Sequence, residues 1–107
     1  MAERVEKSWG YEEIIYNGEY CCKQLVYTRC IASSLHYHEW KHETFVIAAG
    51  EFELEQDGII RRMVPGFFAV IPPGSNHRLR CIEPGMVVEA STHDDPSDCV
   101  RLIPSES

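Results

Sequence analysis

The chain has 107 residues, 44% of them hydrophobic, and a formal charge of −7. That length suits one domain with a modest core, and the apolar share argues against disorder. The acidic balance argues against a phosphate-backbone partner, and no apolar run is long enough to span a bilayer, so neither nucleic acid nor membrane is an expected partner.

The first residues, Met1-Ala2-Glu3-Arg4-Val5-Glu6-Lys7, are charged and lack the apolar stretch of a signal peptide, so a cytoplasmic protein is expected. Ile14-Ile15-Tyr16, then Asn17-Gly18, then Tyr20 onward predict a hairpin with a tight turn. Residues 20–32 are rich in β-branched and aromatic types and predict one long strand. Residues 35–39 predict a short one, and 39–44 reads as a loop between strands. A strand over 44–48 is bounded by Gly50. Phe52 and Leu54 alternate with Glu51, Glu53 and Glu55, which predicts a half-buried strand with the glutamates on a solvated face. Gln56-Asp57-Gly58 is a second hairpin turn. A strand returns over 59–64, Pro65-Gly66 turns, and 67–71 is short and apolar. After the Pro72-Pro73-Gly74-Ser75-Asn76 loop, strands over 77–82, 86–92 and 100–103 complete the set. No stretch has convincing helical periodicity. Many short strands at regular spacing indicate a sandwich or barrel, and their number and brevity suit a double-sheet barrel with a mouth.

The five cysteines are Cys21, Cys22, Cys30, Cys81 and Cys99, with no C-x-x-C pair. Without an export signal they read as reduced thiols packed as small hydrophobes. Cys21 and Cys22 are adjacent, so on a strand they point to opposite faces.

The chemistry concentrates in His36-Tyr37-His38-Glu39-Trp40-Lys41-His42-Glu43. Residues two apart on a strand share a face, so His36 and His38 can grip one ion. Glu43 shares its face with Phe45 and Ile47. A carboxylate facing a barrel interior is costly unless paired or coordinated, and a metal ion supplies a partner. His77 opens a later strand whose face continues through Leu79 and Cys81. Three imidazoles and a carboxylate suit one divalent transition metal, whether zinc, manganese, iron, cobalt, nickel or copper. Four protein ligands leave an octahedral ion two positions for water or substrate, whereas a structural site is closed and tetrahedral.

The run His36-x-His38, Glu43, Gly50 resembles the first motif of the cupin superfamily, and Gly66, Pro72, Gly74, His77 resembles its second. Ser33-Ser34 stand where the first motif opens on Gly, and Cys81 where the second ends in Asn; neither departure touches a ligand. The resemblance implies an all-β double-stranded β-helix, a jelly-roll barrel, with one mononuclear metal on His36, His38, Glu43 and His77. Residues 1–107 then form a single cupin domain, with N-terminal strands in 1–33 and a metal-binding barrel core in 34–103. Ser8-Trp9-Gly10-Tyr11-Glu12 is similar to a Pro-Trp-Gly segment that opens the cupin domain of mannose-6-phosphate isomerases and related small sugar-isomerase-like cupins. The segment Glu89-Ala90-Ser91-Thr92-His93-Asp94-Asp95 resembles a late strand of the same relatives.

Other residues weigh less. His42 reads as surface and His93 as a solvated strand end, with a role at the rim second. Tyr37 and Trp40 could stack on a sugar, but Tyr37 alternates with the ligands and packs away from the cavity. Trp9 reads as a packing anchor or dimer contact. Glu89 shares a face with Val87, Ser91 and His93, and alternation does not decide whether that face points inward. Facing the cavity, Glu89 is a candidate general base; facing out, it is a solvated charge.

The first expectation is a sugar or sugar-phosphate isomerase-like enzyme acting on a small sugar-like ligand. The alternatives are a non-haem metal dioxygenase and a non-catalytic ligand-binding module. Phosphate wants clustered cations, and Lys41, Arg61, Arg62 and Arg101 look scattered, so an unphosphorylated sugar is at least as plausible. A small barrel covers exposed edges by pairing, so a homodimer is expected, with 20–32 as the candidate pairing strand.

Overall fold

Alternating polar and apolar side chains separated by turn residues give nine strands and no helix in the computed structural model, which describes residues 2–107; Met1, at the head of the charged segment read above, lies outside the described residues. The strands are β1 (Glu3–Lys7), β2 (Gly10–Asn17), β3 (Tyr20–Tyr27), β4 (Leu35–Tyr37), β5 (Glu43–Gln56), β6 (Ile59–Met63), β7 (Phe68–Ile71), β8 (His77–Thr92) and β9 (Val100–Ile103).

The two long strands, β5 and β8, pair antiparallel along most of their length. The second half of β8 also pairs with β3, and β2 and β1 continue that layer. Its first half meets β4 at His36–His77, with β9 beyond. On the other side of β5, β7 pairs with Glu43–Val46 and β6 with Phe52–Gln56. Both long strands therefore belong to two layers, and the result is the expected jelly-roll barrel.

The strands change layers at a corner where Gly50 crosses Gly85. A Cβ on Gly50 would sit 2.6 Å from the Glu83 carbonyl oxygen and 2.8 Å from Gly85 Cα, and its φ is +82°. Register shifts between Ile47 and Phe52 accompany the bend. They switch the inward parity of β5: Glu43, Phe45 and Ile47 are buried before the corner, Phe52 and Leu54 after it. Apolar side chains from both layers fill one end of the barrel: Trp9 stacks on Tyr27 at 4.1 Å, and Tyr27 meets Phe52 edge-on. Trp9 is thus the packing anchor.

Several boundaries differ from the sequence expectation. The strands expected at 44–48 and 51–55 are one strand, as are 77–82 and 86–92. The corner glycines and Pro84 look like breakers, but they sit in the bulged stretch, where a missing ladder bond is tolerated. The strand expected over 20–32 stops at Tyr27, because Thr28 and Arg29 both donate their N–H to the Trp9 carbonyl and turn the chain. It is also interior, flanked by β2 and β8, so its backbone groups are already paired and it cannot join a second copy edge to edge. β1 carried no periodic signal, since only Val5 is apolar in Glu3–Lys7. The glutamates at 51, 53 and 55 face outward as expected. There they meet cations across the sheet, with Glu53 opposite Arg62 and Arg80, and Glu51 bonded to Arg62 at 2.6 Å. All five cysteines are free, with Cys21 buried and Cys22 on the other face.

Candidate functional site

The polar end of the barrel is built where strands begin and end. β4 brings His36, the β4–β5 loop brings His38 and Lys41, β5 starts on Glu43, and β8 starts on His77 and later carries Glu89. One nitrogen from each of His36, His38 and His77 lies within 4.8 Å of the others.

Backbone carbonyls decide which nitrogen that is. The Nδ1 of His36 bonds to the Ser34 carbonyl at 3.0 Å, that of His77 to the Ser75 carbonyl at 2.9 Å, and that of His38 to the Asp98 carbonyl. A carbonyl only accepts, so each Nδ1 carries the proton and each Nε2 offers a lone pair to the centre. Burial, followed by the neighbouring His77 and His38, pushes His36 down to about 3, so it stays neutral. Burial also opposes charge on His38, but Glu43 beside it outweighs that and holds it above the usual imidazole value.

Glu43 completes the group. Its Oε2 lies 3.3 Å from His38 Nε2 and 3.2 Å from His77 Nε2. Both Glu43 Oε2 and His77 Nε2 are buried without a hydrogen-bond partner. Two orphaned buried atoms facing each other normally cost stability. Ligand atoms about 2.1 Å from one ion stand about 3.0 Å apart at a right angle and about 3.4 Å apart at the tetrahedral angle. The two Glu43 spacings fall between those values, and the three histidine nitrogens converge within 4.8 Å of one another, so this donor set suits one small divalent cation. Burial alone would raise the Glu43 carboxyl, yet His38, His77 and Lys41 hold it well below the carboxylate range, in the ionised form a ligand needs.

Glu89 faces inward, which alternation along its strand left open. It is 5% exposed and lines the same cavity as the three histidines, Glu43 and Phe45, a space of about 350 Å³. It is not alone there. Lys41, also 5% exposed, places Nζ 3.1 Å from Glu89, 2.9 Å from Asp94 and 3.6 Å from Glu43. Lys23, opposite Glu89 on β3, bonds to Asp94 at 2.9 Å and to Glu12 at 3.3 Å. Burial would discharge both lysines, but the surrounding carboxylates, Glu89 first, hold them charged. Burial and the Glu43 charge raise the Glu89 carboxyl above its ordinary value, against the pull of both lysines.

Sequence reasoning missed Lys41, Lys23, Asp94 and Asp98 as parts of the site. Lys23 left one signal: it is a charged residue in the buried alternation Cys21-x-Lys23-x-Leu25-x-Tyr27. Asp98 had none. Its carboxylate accepts the backbone N–H groups of Glu39, Trp40 and Lys41 at 2.7, 3.1 and 3.0 Å, while its carbonyl orients His38. One residue from the far end of the chain thus holds the loop that carries His38 and Lys41. His42 and His93 are exposed, and Tyr37 does not line the cavity, as the sequence reading expects of these three. Trp40 is 79% exposed and lies outside it.

Residues 29–93 match the family described as Cupin domain. Among solved structures, KdgF from Halomonas sp. superposes with a TM-score of 0.81 at 20% identity, covering 89% of each chain. An RmlC-like cupin from Shewanella frigidimarina gives 0.80 at 18% identity, over 90% of this chain and 87% of that one. A Streptomyces PAC13 variant with uridine gives 0.83 at 10% identity, over 98% and 87%. At these identities the likeness is one of fold. No curated protein matches the chain.

Proposed function

The chain belongs to the cupin domain family, and on that premise we propose that it is a metal-dependent isomerase of a small open-chain sugar. The observation that carries this reading is the gathering of two groups in one cavity: the His36–His38–His77–Glu43 donor set and, beside it, the Glu89–Lys41 pair, with Lys41 also 3.6 Å from Glu43. The three imidazoles and the Glu43 carboxylate would hold one divalent transition metal, a Lewis acid for the carbonyl and hydroxyl oxygens of the sugar.

Glu89 is the base. Its carboxylate takes the proton from the carbon beside the carbonyl and returns it to the former carbonyl carbon, while a hydroxyl proton passes between the two oxygens, so the sugar is isomerised with no net gain or loss of atoms. A carboxylate whose pKa is raised by burial is a stronger base than one in water, and Lys41 keeps it ionised and oriented. The segments resembling mannose-6-phosphate isomerase cupins support a sugar as the substrate. Arg61 and Arg62 line a separate hollow, and Lys7, Lys23 and Lys41 in this cavity are already paired with carboxylates, so an unphosphorylated sugar fits the site better.

Aldoses and ketoses incubated in D2O with protein loaded with manganese, iron, cobalt, nickel or zinc test the reading. The expected result is interconversion with deuterium entering at the exchanged carbon, lost in Glu89→Gln while metal content is kept. No exchange under any of these metals overturns it. Asp98→Ala keeps the carbonyl that orients His38 but frees the loop that its carboxylate holds, and is expected to weaken metal binding by about tenfold, read by competition with a chelator. Unchanged affinity would mean that the His38 loop is held without the Asp98 carboxylate.

A further inference from the structure

Four cations line the cavity, and three of them are matched. Lys7 lies 3.6 Å from Glu12, Lys23 meets Glu12 and Asp94, and Lys41 meets Glu43, Glu89 and Asp94. Arg101 is the fourth, and among the described residues it has no ion-pair partner. Its place is set by strand pairing. β9 runs antiparallel to β4 with Arg101 opposite His36. Opposed residues share a face, with Cβ atoms about 4.5–5.5 Å apart. Arg101 therefore stands on the cavity wall beside one of the three histidines, and being exposed it has its guanidinium at the mouth.

An unpaired guanidinium beside a donor set is a ready partner for an anionic group on whatever the cavity holds. Charge and shape narrow the anion. Six carboxylates line the cavity against the four cations, and a bound divalent metal only brings that balance level, so a singly charged carboxylate is accommodated more readily than a doubly charged phosphate. The planar fork of one arginine also matches the two oxygens of one carboxylate. We propose that Arg101 is the anion anchor of this site and that its substrate is a hydroxy acid of sugar type. The carboxylate pairs with Arg101 while the hydroxyl oxygens face His36, His38 and His77. The sugar skeleton rests on the isomerase reading; the anion anchor rests on Arg101 and its register with His36.

The test is titration calorimetry on the metal-loaded full chain with galacturonate, galactose, galactose 1-phosphate and lactate. Galacturonate is expected to bind about tenfold or more tighter than galactose, as a charge-assisted pair provides. Arg101→Gln should bring the two to equal affinity without altering metal content or melting temperature, and Arg101→Lys, with charge but no fork, should restore part of the preference. Equal binding of galactose and galacturonate by the unaltered protein overturns the anchor and leaves the sugar reading standing. So does a preference for the acid that survives Arg101→Gln. Tighter binding of the phosphate ester overturns the assignment to a carboxylate. Arg101-dependent binding of lactate with no binding of any sugar upholds the anchor and overturns the sugar reading; no binding at all overturns both.

Discussion

Lys41→Met is expected to lower the unfolding free energy of the metal-free protein by about 3–5 kcal/mol, the usual consequence of removing one partner from a buried ionic group. Lys41 lies between Glu43, Glu89 and Asp94, and it is almost wholly buried. Without it, Glu43 and Glu89 share the interior as two like charges with only Lys23 near. The loss should depend on pH, and the sign follows from the direction of each shift. Glu89 already sits above its ordinary value through burial and the Glu43 charge. A carboxyl raised in the fold favours folding below its unfolded pKa, and that support is lost as pH rises through the folded value. Removing Lys41 raises Glu89 further. Asp94 is held low despite burial by Lys23 and by Lys41; its stabilisation is present above the unfolded pKa, and part of it goes with Lys41. Both effects make the deficit larger near neutrality and smaller near the ordinary Glu value of about 4.3. Denaturant unfolding at the two pH values measures this. A double variant with Glu89→Gln should recover part of the loss. A pH-independent deficit, or one below about 1 kcal/mol, would mean that Lys41 is a bystander.

Gly85→Ala is expected to be among the most damaging single methyl additions in the molecule. Its Cβ would run into the Ala49 carbonyl and lie 2.6 Å from Gly50 Cα, both backbone atoms that cannot rotate away. Relief requires β5 and β8 to part at the corner where both change layers, which would loosen the apolar end of the barrel. The expected cost exceeds about 4 kcal/mol, in the range reserved for overpacking and strain. Gly58→Ala is the comparison. Gly58 has a positive φ of 83° but open space around its Cβ position, so only the left-handed conformation is penalised, at about 1–2 kcal/mol. Urea midpoints for the two variants separate packing from conformation. Equal costs would show that the corner can open without penalty.

What was legible in the chain follows from how local each signal is. His36 and His38 share a strand face, and alternation alone put them together; Glu43 betrayed itself by standing in the apolar alternation with Phe45 and Ile47. The hairpin at Asp57-Gly58 was equally local. The long strands were less so, since Gly50 reads as a stop and the second strand as broken between 82 and 86 when the chain is considered alone. In the folded protein these places are the bend of continuous strands, because each is paired through the corner by its neighbour. Residues 20–32 looked like a free strand for the same reason: whether an edge is open depends on which strands lie beside it.

Residue type and period by themselves determined an all-β sandwich or barrel, its hairpins, and the shared face of His36 and His38, because side-chain direction on a strand is a property of a few consecutive residues; the cupin resemblance joined Glu43 and His77 to them. Only the tertiary structure decided that Glu89 points inward, that Lys41 and Lys23 are buried beside it, that Asp98 holds the His38 loop, and that Arg101 stands next to His36. These are contacts between residues tens of positions apart. Each is set by strand register and by the burial that register imposes, and of these only the burial of Lys23 left a trace in the neighbouring sequence.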